Sequence, residues 1–221
     1  MLKLSAALAA LALAGASGCA STVEGDPLEP VNRAVYGFNE GVDEAIVRPV
    51  ATAYRDHVHE EIRGRVRNFF SNIGDVFTGV NDMLQGNFRY GVEDWARFAF
   101  NSTIGLFGLH DVASEMGLEK RNEDFGQTFG RWGVGEGPYL VLPILGPSTL
   151  RDAAGTALDL YADPLFEARP IWLRNSAVAL RFTGRRADLL DASQLLEEAA
   201  LDEYAFVREA YLQHRRSLIL K

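Results

Sequence analysis

Residues 87–104 read Asn87-Phe-Arg-Tyr-Gly-Val-Glu-Asp-Trp-Ala-Arg-Phe-Ala-Phe-Asn-Ser-Thr-Ile104. Arg89, Glu93 and Arg97 recur every four residues, which on a helix makes one charged stripe with favourable neighbours. Phe88, Val92, Trp95 and Ala99 fall together on an apolar face of the same helix. Phe98, Phe100 and Ile104, continued by Leu106 and Phe107, add apolar surface outside that face. The surplus has two readings. Either this is a central helix buried on several sides, which is the first expectation, or part of the belt faces acyl chains as interfacial helices do.

Working outward, helical periodicity dominates. It predicts helices near 27–40, 44–55, 60–71, 73–85, 87–104, 147–160, 171–187 and 202–218, with Asp26 capping the first and Pro27 in its first turn. Alternating Val, Ile and Thr runs are nearly missing, so the predicted class is all-α, in one domain over 26–221. The exception is Phe125–Pro147, with glycines at 126, 130, 133, 135, 137 and 146. Gly133-x-Gly135-x-Gly137-Pro138 is no phosphate cradle, because it lacks the Lys-Ser/Thr ending and runs into an extended Tyr139–Pro143 rather than a helix. It reads as an irregular apolar loop whose glycines permit tight turns.

The first eighteen residues read as an export signal. Lys3 gives a positive start, Leu4 to Ala14 is almost wholly apolar, and Ala16, Ser17 and Gly18 offer a small-residue cleavage site. A run of that length is about half what a membrane span needs. Ala16-Ser17-Gly18-Cys19 resembles the lipobox of bacterial lipoproteins, in which the thiol is acylated and becomes the new N-terminus. Cys19 is the only cysteine, so it has no disulfide partner within the chain. The expected organisation is therefore a cleaved peptide at 1–18, a lipidated tether at 19–25 and the helical domain. By the same resemblance Ala20, standing where Asp would mark retention at the inner membrane, implies the outer membrane.

Charge narrows the partners. The chain carries a net −8, which becomes −9 without residues 1–18, and this disfavours nucleic acid, whose phosphates need a basic stripe. No Gly-x-Ser-x-Gly is present, and His57, His59, His110 and His214 stand apart from any Ser or Cys in a recognisable catalytic spacing. His57 and His59 would share a side only on a strand, so a metal pair there is disfavoured, and no cofactor is expected.

The order of motifs resembles the VacJ/MlaA family of phospholipid-transporting outer-membrane lipoproteins. The resemblance rests on Asp26-Pro-Leu-Glu29, Asn32-Arg33, Tyr36, Phe38-Asn39, Arg48-Pro-Val-Ala51, Asn81, Leu84-Gln-Gly86, Arg97-Phe98 and Asn101-Ser-Thr103. It continues through Asp124-Phe-Gly-Gln-Thr128, Gly133-Val-Gly135, Gly137-Pro-Tyr139, Gly146-Pro-Ser148, Arg151-Asp152, Arg185 to Asp191, Tyr204, Arg208 and Tyr211. One departure is His59, where the family usually has Pro, which puts the geometry of that helix junction in question.

The resemblance implies a ring of amphipathic helices in the periplasmic leaflet, pierced by a channel and docked on a trimeric porin. Phospholipid that strayed to the outer leaflet would pass through to a soluble periplasmic carrier. Phe38, Asn39, Gly133, Gly135 and Gly137 are the expected channel or gate residues, with Arg131 or Arg151 meeting phosphate. A purely structural envelope lipoprotein and a lipid-modifying enzyme are the alternatives.

Overall fold

The computed structural model describes residues 26–220, so the predicted signal peptide, the cleavage residues Ala16 and Gly18, and the lipidation residue Cys19 lie outside the described residues. The fold is helical, as the sequence predicts, but the stretch 125–147 expected to be an irregular loop holds a short helix and a small antiparallel hairpin. The elements are α1 (Glu29–Val42), a π-helical turn (Asp43–Val47), α2 (Arg48–His57), α3 (Glu60–Leu84), α4 (Phe88–Thr103), α5 (Val112–Glu115) and α6 (Phe125–Arg131). After the hairpin β1 (Tyr139–Leu142) and β2 (Gly146–Thr149) come α7 (Leu150–Ala162), a 3₁₀ turn (Pro164–Glu167), α8 (Ile171–Asp188), α9 (Leu190–Ala199) and α10 (Glu203–Ile219).

Several boundaries depart from expectation for local reasons. The helices expected at 60–71 and 73–85 are one, because Asn72 turns inward to donate to Ser102 Oγ at 2.9 Å instead of breaking the chain. Pro49 has no N–H and would collide with the carbonyl four residues back. The backbone widens there, and Arg48 N–H donates to Asp43 O, five residues earlier. Asp26 is not the cap of α1; it is buried, accepting from Leu28 N–H at 3.1 Å, Asn32 Nδ2 at 3.2 Å and the Tyr204 hydroxyl. The short α5 and α6 are started by Asp111 and Asp124, whose carboxylates accept from the Ser114 and Gln127 N–H groups.

The main correction concerns 87–104. Residues 91, 94, 97 and 101 form the buried face of α4: Gly91, Asp94, Arg97 and Asn101. The apolar set points outward instead, with Phe88 67%, Val92 58% and Trp95 43% exposed, followed by Ile104 at 64% and Phe107 at 77%. Of the expected charged stripe only Arg89 and Glu93 stay outside, paired at 2.9 Å. Periodicity tells which residues share a face but not which face is inward, and here the surrounding elements put the polar one inside.

The facing helix α3 does the same with Asn72, Asp75, Thr78, Asn81 and Asp82. Arg97 sits 1% exposed between the two helices. It binds Asp111 at 2.9 and 3.1 Å, Ser114 Oγ at 3.1 Å and the Leu118 carbonyl, with Asp75 at 3.6 Å. Lys120 caps Asp75 from the other side. The two backbones can approach this closely because the contact is glycine on glycine. A methyl at Gly79 would lie 2.9 Å from the Gly91 carbonyl oxygen, and one at Gly91 would lie 2.7 Å from that of Gly79. Close glycine contacts of this kind are the habit of helices packed in lipid. Among the described residues nine buried side chains are hydrophobic and sixteen are polar or charged. That is the reverse of a water-soluble interior.

Packing runs in a closed path. α1 rests on β1; the hairpin rests on α7; α7 packs on α6, α6 on α3, α3 on α8 and α8 on α2, which returns through the π turn to α1. Three polar pins close it. Asn32 clamps β1 through Tyr139 O and Val141 N, both at 3.0 Å, and Arg215 bridges Asp124 and Asp152 at 2.6 and 3.0 Å. Arg186 holds Asp43 at 2.7 and 2.8 Å.

Removing Arg97 takes the shared guanidinium from Asp75 and Asp111 and leaves its fully buried place between the helices empty, so Arg97→Ala should cost about 3–5 kcal/mol of unfolding free energy in detergent, by denaturant titration. Arg89→Ala, on the outside, should change it by under about 0.5 kcal/mol. At the junction before α3, His59 has φ −54° and ψ 140° and follows Val58 in extended conformation (φ −99°, ψ 123°). Those are values a proline and its predecessor adopt without strain. His59→Pro should therefore raise stability by about 0.4–1 kcal/mol in the same titration.

Candidate functional site

Between α3, α7 and α8 lies a cavity of about 230 Å³ that opens to solvent. One wall is Ile73, Gly74, Phe77 and Thr78 from α3. Glu123 and Asp124, just before α6, and Asp159 on α7 supply acids, and Arg181 and Arg185 on α8 supply cations beside Asp163. α8 is held here by packing on α2 and α3, with Ile171–Leu173, Leu180 and Phe182 pointing outward.

The charges in the cavity are unequally satisfied. Arg181 binds Asp163 at 2.6 Å, and Asp124 is held by Arg215, which keeps its carboxyl below the usual range although burial alone would raise it. Asp159 has only the Phe125 N–H at 3.3 Å. Burial, with the Asp124 charge, pushes Asp159 up to about 6. Glu123 accepts from Gln85 Nε2 at 3.1 Å and is also raised, chiefly by burial. Arg185 forms no hydrogen bond or ion pair among the described residues. Its side chain is accessible, yet the surrounding protein and neighbouring Arg181 lower its pKa, as expected of a group standing in a walled opening.

Deeper in the polar interior Asp94 and Asp82 face one another from α4 and α3. Burial and then the Asp82 carboxyl push Asp94 up to about 7, and Asp94 Oδ2 and Asp82 Oδ2 have no other partner. The pair belongs to the core rather than the cavity, with Arg121 donating to Asp94 Oδ1 at 3.2 Å.

The residues singled out from sequence divide into groups. Phe38 is 56% exposed and lines an apolar groove of about 660 Å³ with Pro30, Val31, Val35 and Pro143. Asn39 points to the hairpin instead, donating to Leu142 O at 3.0 Å and accepting from Ile144 N–H at 2.7 Å. Gly133 ends α6 with φ +87°, and Gly137, at φ +68°, lies against Leu150, while Gly135 stands in open space. Arg131 is exposed at the end of α6. Arg151 is 8% exposed and committed to Asp152 at 2.9 Å. The expected gate and the polar cavity are therefore separate places, and neither Arg131 nor Arg151 lines that cavity.

Sequence reasoning missed Arg181, Arg185 and Asp159. A signal existed: like charges one helical turn apart, as Arg181 and Arg185 are, oppose each other and need a reason.

The exterior completes the geometry. Large apolar side chains are exposed on α4, on the 104–109 loop, at Trp132 and Val134, at the hairpin tip Ile144-Leu145 and along α8. Leu106, Phe107 and Ile144 have positive φ, a strained conformation for such side chains, and all three are exposed. No described helix is long and apolar enough to cross a membrane. Apolar side chains in such number and continuity on a surface mark an interaction face.

Comparison with known proteins supplies the family. The family model described as MlaA lipoprotein matches residues 24–218. The "Intermembrane phospholipid transport system lipoprotein MlaA" of Escherichia coli (strain K12) is 39% identical over 96% of this chain and 86% of its own length. The protein of that name from Haemophilus influenzae is 30% identical over 96% and 87%. A solved structure described as "Structural basis for maintenance of bacterial outer membrane lipid asymmetry" superposes with a TM-score of 0.77 at 37% identity, covering 89% of this chain and all of the other. The chain belongs to the MlaA lipoprotein family.

Proposed function

We propose that this protein is a conduit for phospholipid at the outer membrane of a Gram-negative bacterium. It is held there by acylated Cys19, removes phospholipid that has strayed to the outer leaflet, and delivers it to a soluble periplasmic carrier. The observation that carries the reading is the inverted partition of side chains, with an apolar exterior around a polar interior that contains a charged cavity. A headgroup dragged through hydrocarbon meets a cost of several kcal/mol or more, judged from charged side chains at a bilayer centre. A polar-walled path lowers it, and each ~1.4 kcal/mol removed speeds passage about tenfold.

The closed path of packing supports a ring of helices within one leaflet. A trimeric porin is the partner expected to hold the ring at the right depth, with part of the apolar rim against it. The loop at 133–138 is the proposed gate. It is tied to α10 by Arg216, which binds Glu136 at 2.6 and 3.1 Å, and it leads into the strained, exposed hairpin tip.

The test is reconstitution in asymmetric vesicles with fluorescent phospholipid and an acceptor carrier in solution. Wild type should deplete the labelled leaflet. The Glu136→Cys, Arg216→Cys variant, joined by a short bifunctional maleimide, should lose most of that transfer and regain it with a cleavable linker once cut. Wild type that moves no lipid rejects the conduit; a locked variant that transfers normally rejects the gate alone.

A further inference from the structure

Arg185 and Asp159 line one cavity of about 230 Å³, and each lacks an ionic partner among the described residues. They do not pair with one another either, whereas Arg181 is engaged with Asp163 and Asp124 with Arg215, and Glu123 accepts from the Gln85 amide. An unpartnered guanidinium and an unpartnered carboxylate held apart in one opening form a charge pattern whose complement carries an anion at one end and a cation at the other. Resting on the conduit reading above, we infer that this cavity receives the headgroup of a zwitterionic phospholipid, its phosphate on Arg185 and its protonated amine on Asp159.

The chemistry of each end fits. A guanidinium offers paired N–H donors to phosphate oxygens, and Arg185 has these free. Asp159 keeps one oxygen on the Phe125 N–H, leaving lone pairs for an ammonium donor. Burial raises Asp159 but leaves it ionised at neutral pH, and an amine beside it relieves that desolvation. Glu123 lines the same cavity as a further acid, and Thr78 brings a hydroxyl from α3. A headgroup with phosphate but no amine would leave Asp159 unpaired and bring a second negative charge close to it. The site therefore discriminates against anionic lipids rather than merely accepting zwitterionic ones.

The experiment uses full-chain protein, delipidated in detergent and offered equimolar phosphatidylethanolamine and phosphatidylglycerol with matched acyl chains, with bound lipid counted by native mass spectrometry. Wild type should retain the ethanolamine lipid roughly tenfold over the glycerol lipid. Arg185→Gln should lose most of both, and Arg185→Lys should recover part. Asp159→Asn and Asp159→Ser should abolish the preference while glycerol-lipid retention holds or rises, with circular dichroism confirming that each variant is folded. Soluble glycerophosphoethanolamine at the lipid concentration should not compete. Preference that survives either folded Asp159 variant, or retention unchanged in Arg185→Gln, overturns this site and leaves the conduit standing. Competition by the soluble headgroup would make the ligand a free aminophosphate and overturn the lipid assignment. Wild type that retains neither lipid overturns the conduit itself.

Discussion

The structure depends on the salt-bridged pairing of α3 and α4 around Arg97. In lipid, burying apolar side chains brings little gain, because the surroundings are as apolar as the side chains themselves. An unpaired polar group in hydrocarbon, by contrast, costs several kcal/mol. A fold placed in lipid, as proposed for this one, is therefore driven by sequestering charge. Arg97, Asp75, Asp111 and Lys120 neutralise one another, and Asp94, which burial makes harder to ionise, is met by Arg121. Once those groups are inside, Phe88, Val92 and Trp95 have nowhere to go but out.

That arrangement also explains the cavity. A polar interior organised by fully matched pairs is inert; a place where matching is incomplete is where a charged guest can compete. Along the closed path of packing, the described interior is matched at Arg97, at Arg215 and at Arg186, and left incomplete beside Arg185 and Asp159. The apolar rim and the unmatched cavity thus share one origin, the inversion of an ordinary protein interior.

Much of this was legible in the sequence. Helical periodicity located most long helices, and the surplus of apolar residues at 98–107 raised the possibility of a lipid-facing belt. The phase of the buried face was not legible, because an amphipathic helix reads identically whether it faces water or lipid. Asn72 looked like a helix break until its partner Ser102 came from α4, and Asp26 looked like a cap until Tyr204 arrived from the far end of the chain. Arg151 was expected to meet phosphate, yet it is buried on Asp152, whose other partners, Tyr211 and Arg215, meet it only in three dimensions. His59 looked like a disturbed junction, yet its backbone adopts what proline would have imposed.

The most direct measurement of the central claim uses the protein's three tryptophans, Trp95, Trp132 and Trp172, which are 43%, 58% and 66% exposed on the apolar exterior. In vesicles containing brominated phospholipid, their fluorescence should be strongly quenched, while acrylamide in the water should have little effect. Strong quenching by acrylamide with none from the brominated chains would place the apolar face in water and contradict the account.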